Sequence, residues 1–335
     1  MANPVLVELT RGAMVESVHR GSIAIMDADG ALRLALGDVE TPVYSRSSLK
    51  PMQALPLVES GAAEAFGLSD EEVALACASH SGEPMHTERV AAWLARLGLS
   101  ENDLACGAHA SRYEPFAEAM IRRGEKPTRI FNNCSGKHTG FLTVARHWDI
   151  ATNGYEQATH PVQQAVAAAL RELSDATDLP FGIDGCAAPN FATSLTEFAR
   201  AAARMAAPDK LAKERAAASR RLLSSMIAHP ELVSGTGRAC AILMRGCNGR
   251  AAVKAGAEGF YAGWIPKAGL GIAIKIDDGA GRASETAMAA VLDALGLLDD
   301  TAATRSILRA SILNTRGATV GERRPSAVLA KLSLS

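Results

Sequence analysis

The sequence predicts an α/β (α+β) chain whose two ends join in one antiparallel sheet, with helices on its faces and a helical middle part. Three observations carry this. Residues 5–9, 15–27 and 31–36 read as strands, and the Asp27-Ala28-Asp29-Gly30 run between the last two is a hairpin signal. Short β-like runs separated by glycines return after residue 238, and Leu270-Gly271-Ile272-Ala273-Ile274-Lys275-Ile276 alternates at period two. Between these ends lie apolar stretches at helical spacing with capping residues. The reading is therefore one domain over residues 1–324. Its sheet comes from about 1–45 and 238–324, its helical part from about 46–237, and residues 325–335 read as a loosely held tail.

The elements follow in order. Residues 47–60 read as a helix ended near Gly61, with Ser47 or Ser48 as cap and Pro51 in its first turn. Ser69 and Glu72 have capping-box spacing. Residues 87–97 are an amphipathic helix, and Ser100 with Asp103 marks another start. Asn132-Asn133-Cys134-Ser135-Gly136-Lys137-His138-Thr139-Gly140 reads as a polar loop, as does Ile183-Asp184-Gly185-Cys186-Ala187-Ala188-Pro189. Residues 158–174, 195–206 and 209–228 are helical, and Gly235-Thr236-Gly237 is a tight turn. Residues 238–245, 251–255, 259–264 and 270–276 are β-like, and 284–298 and 301–312 close the chain as helices.

Composition bounds the function. The chain has 335 residues and is 48% apolar, enough for a large core. A net charge of −1 gives no electrostatic case for nucleic acid. No window reaches about 18 uncharged apolar residues, so no membrane span is expected. The N-terminus lacks a basic region followed by an apolar stretch, so no signal peptide is expected. Six cysteines in a chain of this length do not make a disulfide framework, and reduced thiols in the cytoplasm are expected.

Chemistry gathers first at Ser47-Ser48-Leu49-Lys50. On a helix Ser47 and Lys50 share a face. A hydroxyl at a helix start meets a field that favours negative charge, and a desolvated lysine one turn on loses its proton near neutral pH and serves as base. Only Ser47, not Ser48, stands three residues before Lys50. The plain alternative is a helix cap beside a solvated lysine. Two further elements follow in order: Ser79-His80-Ser81, and Lys254-Ala255-Gly256 on a β-like run. The three resemble the Ser-x-x-Lys, Ser-x-Asn and Lys-Thr-Gly elements of the penicillin-recognising serine hydrolases, with Ser81 in place of Asn and Ala255 in place of Thr. Gly235-Thr236-Gly237 lacks the Gly-x-x-x-x-Gly-Lys pattern and follows no strand, so it is no phosphate loop.

The flanks extend the resemblance. Tyr44-Ser45-Arg46-Ser47-Ser48-Leu49-Lys50-Pro51, Cys77-Ala78-Ser79-His80-Ser81-Gly82-Glu83, Asn133-Cys134-Ser135-Gly136-Lys137-His138, Asp184-Gly185-Cys186 and Gly235-Thr236-Gly237-Arg238 together resemble the rhizobial-type (class 3) L-asparaginases. The resemblance runs from about residue 5 to Val320-Gly321-Glu322-Arg323. It implies a β-lactamase-like fold, hydrolysis of L-asparagine to L-aspartate and ammonia, and a homodimer. It carries Ser47 with Lys50 as one Ser-Lys tandem and Ser79 with Lys254 as a second. It also carries a zinc site onto Cys134, Lys137 and Cys186. By spacing alone Cys134 and Cys186 are two ordinary thiols, since no CxxC or HxxxH pattern is present. Arg46, Asn133, His138 and Asp184 are candidates for holding the substrate. His109, His147, His160 and His229 read as structural or surface residues. Two rivals stand beside asparagine hydrolysis: a related serine amidase acting on glutamine, a lactam or an ester, and a non-enzymatic zinc-binding protein.

Overall fold

The computed structural model describes residues 2–332, which fall into two compact units. One unit takes residues up to Ser48, Ala192–Ala207 and the chain from Ile242 onward; the other takes Leu49–Phe191 and Pro208–Ala241.

The first unit is built on an antiparallel sheet. Its strand order is Ala310–Leu313, Thr319–Pro325, Val5–Arg11, Met14–Asp27, Leu270–Ile276, Phe260–Ile265 and Ala252–Ala255, with Leu32–Leu36 also pairing on Met14–Asp27. The N-terminal strands thus lie between C-terminal ones, as the alternating patterns at both ends predict. In Leu270–Ile276, Gly271 to Ile274 are buried without a break, so both faces of the sheet are covered there. The Leu195–Ala206 helix, opened by a Ser194–Glu197 capping box, packs on this sheet through small residues. Gly271 makes the contact possible: a Cβ there would lie 2.1 Å from the Ala199 carbonyl oxygen. Phe198 meets Phe260 at 5.0 Å between ring centres and adds an apolar anchor.

The second unit is mainly helical. Its chief helices are Leu55–Glu59, Asp70–Ala76, Pro84–Arg96, Ser135–His147, Pro161–Ser174 and Lys213–Ala228. The Ser69–Glu72 capping box is formed. Ser135–His147 is buried from Ser135 through Ala145, the pattern of a helix enclosed on all sides. Trp93 Nε1 donates to Thr143 Oγ1 at 3.0 Å and ties this helix to Pro84–Arg96.

Four local readings are corrected. The expected polar loop at residues 132–140 is mostly the start of the Ser135–His147 helix. Gly136 there is a packing residue, not a breaker: a Cβ would stand 2.4 Å from the Leu75 carbonyl oxygen. Residues 238–245 form the Ala239–Gly246 helix rather than a strand. The helix expected over 47–60 is a 3₁₀ turn, Arg46–Leu49, followed by two short helices, Lys50–Gln53 and Leu55–Glu59, each with a proline in its first turn. No serine caps Lys50–Gln53; its N-cap is Leu49. Finally, the helix expected over 301–312 stops at Leu308 and gives way to the Ala310–Leu313 strand.

The chain is also held further than the tail reading implies. Ser326 Oγ donates to the Val5 carbonyl at 2.7 Å, and Leu329 of the Ala327–Ala330 helix is buried. The last part of that tail, residues 333–335, lies outside the described residues.

Candidate active site

In the first unit the Ser45–Ser48 turn is fastened to the Lys254-Ala255-Gly256 strand end. Ser48 Oγ donates to the Lys254 carbonyl at 2.7 Å, and Ser48 N donates to Ser45 O at 3.1 Å. Arg46 sits at φ +50°, a left-handed conformation that non-glycine residues adopt at a cost of about 1–3 kcal/mol. Ser48 and Ser45 are buried, and Ser47 is half-buried. Gly256 explains the glycine of the third motif. A Cβ at that position would stand 2.6 Å from Ser45 O and 3.1 Å from Ser48 Oγ. Lys254 is 1% exposed, and its Nζ donates to Ala255 O at 2.8 Å.

In the second unit Lys50 is also 1% exposed. Its Nζ donates to the Ala78 carbonyl, to Ser79 Oγ at 2.9 Å and to Asn133 O at 3.3 Å. Burial pushes its pKa below that of an ordinary lysine. The positive charge of Lys137 adds to this, and the thiols of Cys134 and Cys186 oppose it. The loop carrying Ser79 is pinned through its backbone. Ser79 N donates to Val233 O at 2.9 Å and His80 N to Asn133 O at 3.2 Å. His80 is buried, shares a 2.9 Å hydrogen bond with Ser135 Oγ, and is held well below the usual histidine pKa by burial.

Next to Asn133 lies a buried cluster of sulfur and nitrogen. Lys137 Nζ is 3.0 Å from Cys186 Sγ. Cys134, Lys137, His138 and Cys186 are each at most 4% exposed. The Asp184–Ala188 turn holds Cys186 in place, with Ala187 at φ +74° and Asp184 Oδ2 3.9 Å from the sulfur. The neighbouring Cys134 thiol, opposed by burial and helped by the Lys137 ammonium and His138, holds the pKa of Cys186 below the ordinary thiol value. The nearby Cys186 sulfur, reinforced by burial, pushes the Cys134 thiol well above that value, and Cys134 Sγ donates to Asn133 Oδ1 at 3.4 Å. For Lys137, burial lowers the pKa but the sulfur charge outweighs it, and the amine stays an ammonium.

The tautomer of His138 follows from its partners. Tyr155 OH accepts from Ala105 N at 2.8 Å and lies 2.7 Å from His138 Nδ1, so the phenol donates to Nδ1 and the ring proton rests on Nε2. No oxygen or nitrogen takes that Nε2.

Among the described residues, no group of three or more His, Cys, Asp or Glu side chains is arranged to hold a metal ion. Two sulfurs and one amine converge nonetheless. On loss of their protons they become a compact S₂N donor set of the kind zinc accepts, with His138 Nε2 already buried and unpaired beside it. The donor set therefore fits the ion.

The structure thus brings Lys50, Ser79, Asn133, Cys134, Lys137, His138, Cys186 and Asp184 into the second unit, and Arg46, Ser47 and Lys254 into the first. Sequence reasoning missed Glu83. It is 5% exposed, and its carboxylate accepts from Ser81 Oγ, Thr236 N and Thr236 Oγ1. A Glu placed just before a helix-opening proline was its only signal.

A buried amine on a serine hydroxyl belongs to the chemistry of the amidohydrolases, and the chain is one. It belongs to the L-asparaginase II family, whose model matches residues 7–325. No curated protein matches the chain. It is similar to a solved β-lactamase from Mycobacterium bovis, at 15% identity over 82% of this chain and 94% of that one, with a TM-score of 0.44. A putative β-lactamase from Bacteroides dorei is 13% identical over 76% and 84% of the two chains, with a TM-score of 0.42. A β-lactamase from Burkholderia ambifaria is 15% identical over 85% and 96%, with a TM-score of 0.39. At these scores the fold stands on its own strand order.

Proposed function

We propose that the protein hydrolyses the side-chain amide of L-asparagine to L-aspartate and ammonia through a seryl ester. The observation that carries the reading is the buried Lys50 amine, with its depressed pKa, 2.9 Å from Ser79 Oγ. Such a lysine is available as a neutral base. Lys50 takes the proton of Ser47 as its oxygen attacks the amide carbon. The carbon–nitrogen bond breaks and ammonia leaves with a proton relayed through Ser79. Water then attacks the β-aspartyl ester, aspartate departs and Ser47 regains its proton. Lys254 serves the second tandem with Ser79, and backbone N–H groups of the Arg46–Leu49 turn stabilise the oxyanion.

Arg46, Asn133, His138 and Asp184 hold the substrate in this reading. Cys134, Lys137 and Cys186 would hold a zinc ion, which when bound supplies a fixed positive charge that orients polar ends of the substrate. The nucleophile comes from Ser47, so turnover does not depend on a metal-bound water. A β-lactamase-like fold name, a homodimer and a cytoplasmic location complete the proposal; six unbridged cysteines support the last. No helix among the described residues is long and apolar enough to cross a membrane.

Ammonia release is measured with L-asparagine and L-glutamine, alongside hydrolysis of a chromogenic cephalosporin, in wild type and Ser47→Ala. Turnover of asparagine that falls by orders of magnitude in the variant is expected. Undiminished turnover in Ser47→Ala removes the nucleophile assignment, and activity confined to glutamine or the lactam removes the substrate assignment.

A further inference from the structure

Many guanidinium groups here are answered by carboxylates, Arg215 by Glu59 and Glu172, Arg221 by Glu64 and Asp70, Arg250 by Asp299, and others, such as Arg129, donate to backbone carbonyls. Arg112 and Arg238 are both exposed, and among the described residues no carboxylate takes either side chain.

Their backbones are nevertheless fixed to the loop that carries Ser79. Arg112 N donates to Ser81 O at 2.7 Å, and Ser111 Oγ donates to the same oxygen at 2.8 Å. Arg238 closes the turn after Gly235, its N donating to Gly235 O at 3.3 Å. That turn is bound by Thr236 to the buried Glu83 carboxylate, at 2.9 Å through N and 2.7 Å through Oγ1. Ser81 Oγ donates to the same carboxylate. The fit is close. Gly235 has φ +119°, and a Cβ there would stand 2.0 Å from Ser81 Oγ. Both arginines therefore hang from one rigid hub a few residues from Ser79.

Electrostatics agrees with this placement. Partial burial of the Arg112 side chain, and after it the positive charge of Arg238, lowers its pKa, with Cys134 opposing them, so the two guanidinium groups feel each other. Arg112 also interacts with Cys134 and with His80, the neighbours of Asn133 and Ser79. An anion between the two cations would relieve their repulsion, and a guanidinium fork matches a planar carboxylate. Hung from the loop that carries Ser79, such a site suits a small carboxylate rather than a large polyanion.

We infer that Arg112 and Arg238 form the subsite that holds the free α-carboxylate of the amino-acid amide, and so confine the enzyme to amides that carry one. This rests on the amidase reading above. It adds two specificity-determining residues to the groups already assigned.

The test compares wild type, Arg112→Gln/Arg238→Gln and Arg112→Lys/Arg238→Lys. KM and kcat are measured for L-asparagine and for its α-methyl ester, and L-aspartate binding is measured by calorimetry. In the glutamine variant the KM for asparagine is expected to rise about 10- to 100-fold with kcat little changed, since hydrogen bonds between charged groups are lost. The aspartate Kd is expected to weaken by a similar factor, the ester to be unaffected, and the lysine variant to recover part of the loss. Equal effects on asparagine and its ester, an unchanged aspartate Kd, or no aspartate binding to wild type would each overturn the inference. Arginine-dependent aspartate binding in an enzyme that leaves asparagine intact would keep the subsite while removing the asparaginase reading.

Discussion

Lys50 Nζ lies 2.9 Å from Ser79 Oγ, in a ring of oxygens completed by the carbonyls of Ala78 and Asn133. The count of partners matters. An ammonium would donate to all three oxygens. A neutral amine has two N–H bonds, which the carbonyls can take, and one lone pair left for the hydroxyl proton of Ser79. The site thus accommodates either protonation state without a buried group going unpaired. That property suits the proton-accepting role proposed for Lys50.

Lys50→Gln should lower kcat for asparagine by about 10²–10⁴, the range for loss of a general base. Lys50→Arg should not restore it, because a guanidinium keeps its proton at any working pH. The pH profile gives the sign. The neutral amine is the active form, so kcat/KM should rise with pH through the depressed pKa of Lys50 and level off above it. The midpoint should lie below the ordinary lysine value of about 10.4. Steady-state rates over pH check this, and the limb should vanish in Lys50→Gln.

The sulfur cluster makes a second prediction. In metal-free protein at pH 6, thiolate absorbance in the ultraviolet should report one ionised cysteine, lost in Cys186→Ala. Lys137→Met should raise its pKa toward the ordinary thiol value of about 8.5, because the ammonium beside Cys186 is gone. Elemental analysis after zinc loading should find one bound ion in wild type and less in Cys134→Ser, Cys186→Ser or Lys137→Met. Full zinc retention in all three would remove the metal assignment.

Glu83 should matter for stability. Burial pushes its pKa up, but the hydrogen bonds from Ser81 and Thr236 outweigh this and hold it below the usual carboxylate value. Its contribution is therefore present above about pH 4.3, the unfolded value, and is lost as pH falls through the folded value. Glu83→Ala should cost about 2–3 kcal/mol near neutral pH in denaturant unfolding, and less in acid.

Two glycines test the geometry of the two loops. Gly256→Ala should push the Ser45–Ser48 turn off the Lys254 strand end, since its Cβ would stand 2.6 Å from Ser45 O. Gly235→Ala should break the Ser81–Glu83 contact and also meets an unfavourable φ. Each should lower kcat at least tenfold and cost about 2 kcal/mol or more of stability, read from activity assays and melting curves.

Much of the fold was legible because period-two patterns at both chain ends met in one sheet. Leu270–Ile276 is a strand, paired with Met14–Asp27 as those patterns suggest. The misreadings share a cause. Residues 132–140 look like a loop because glycine and polar side chains usually mark one. Here Gly136 is set by the Leu75 backbone, and the polar side chains Lys137 and His138 are buried in the helix start beside Cys186. The Ala239–Gly246 helix reads as a strand because the unbroken apolar run Ala241-Ile242-Leu243-Met244 leaves no polar face to reveal the helical period. The Ser47-x-x-Lys50 spacing was readable. The 2.9 Å contact between Lys50 and Ser79 was not, because it depends on how the loop after Asp70–Ala76 folds back. Arg112 and Arg238 are 126 positions apart, and only the Glu83 hub brings their loops together.

The most direct measurement is acid quench of the enzyme during asparagine turnover, followed by peptide mapping for the β-aspartyl ester. A seryl ester on the peptide at Ser47, absent in Ser47→Ala, is the expected result. An adduct on Ser79, or steady turnover with no adduct and full activity in Ser47→Ala, would contradict it.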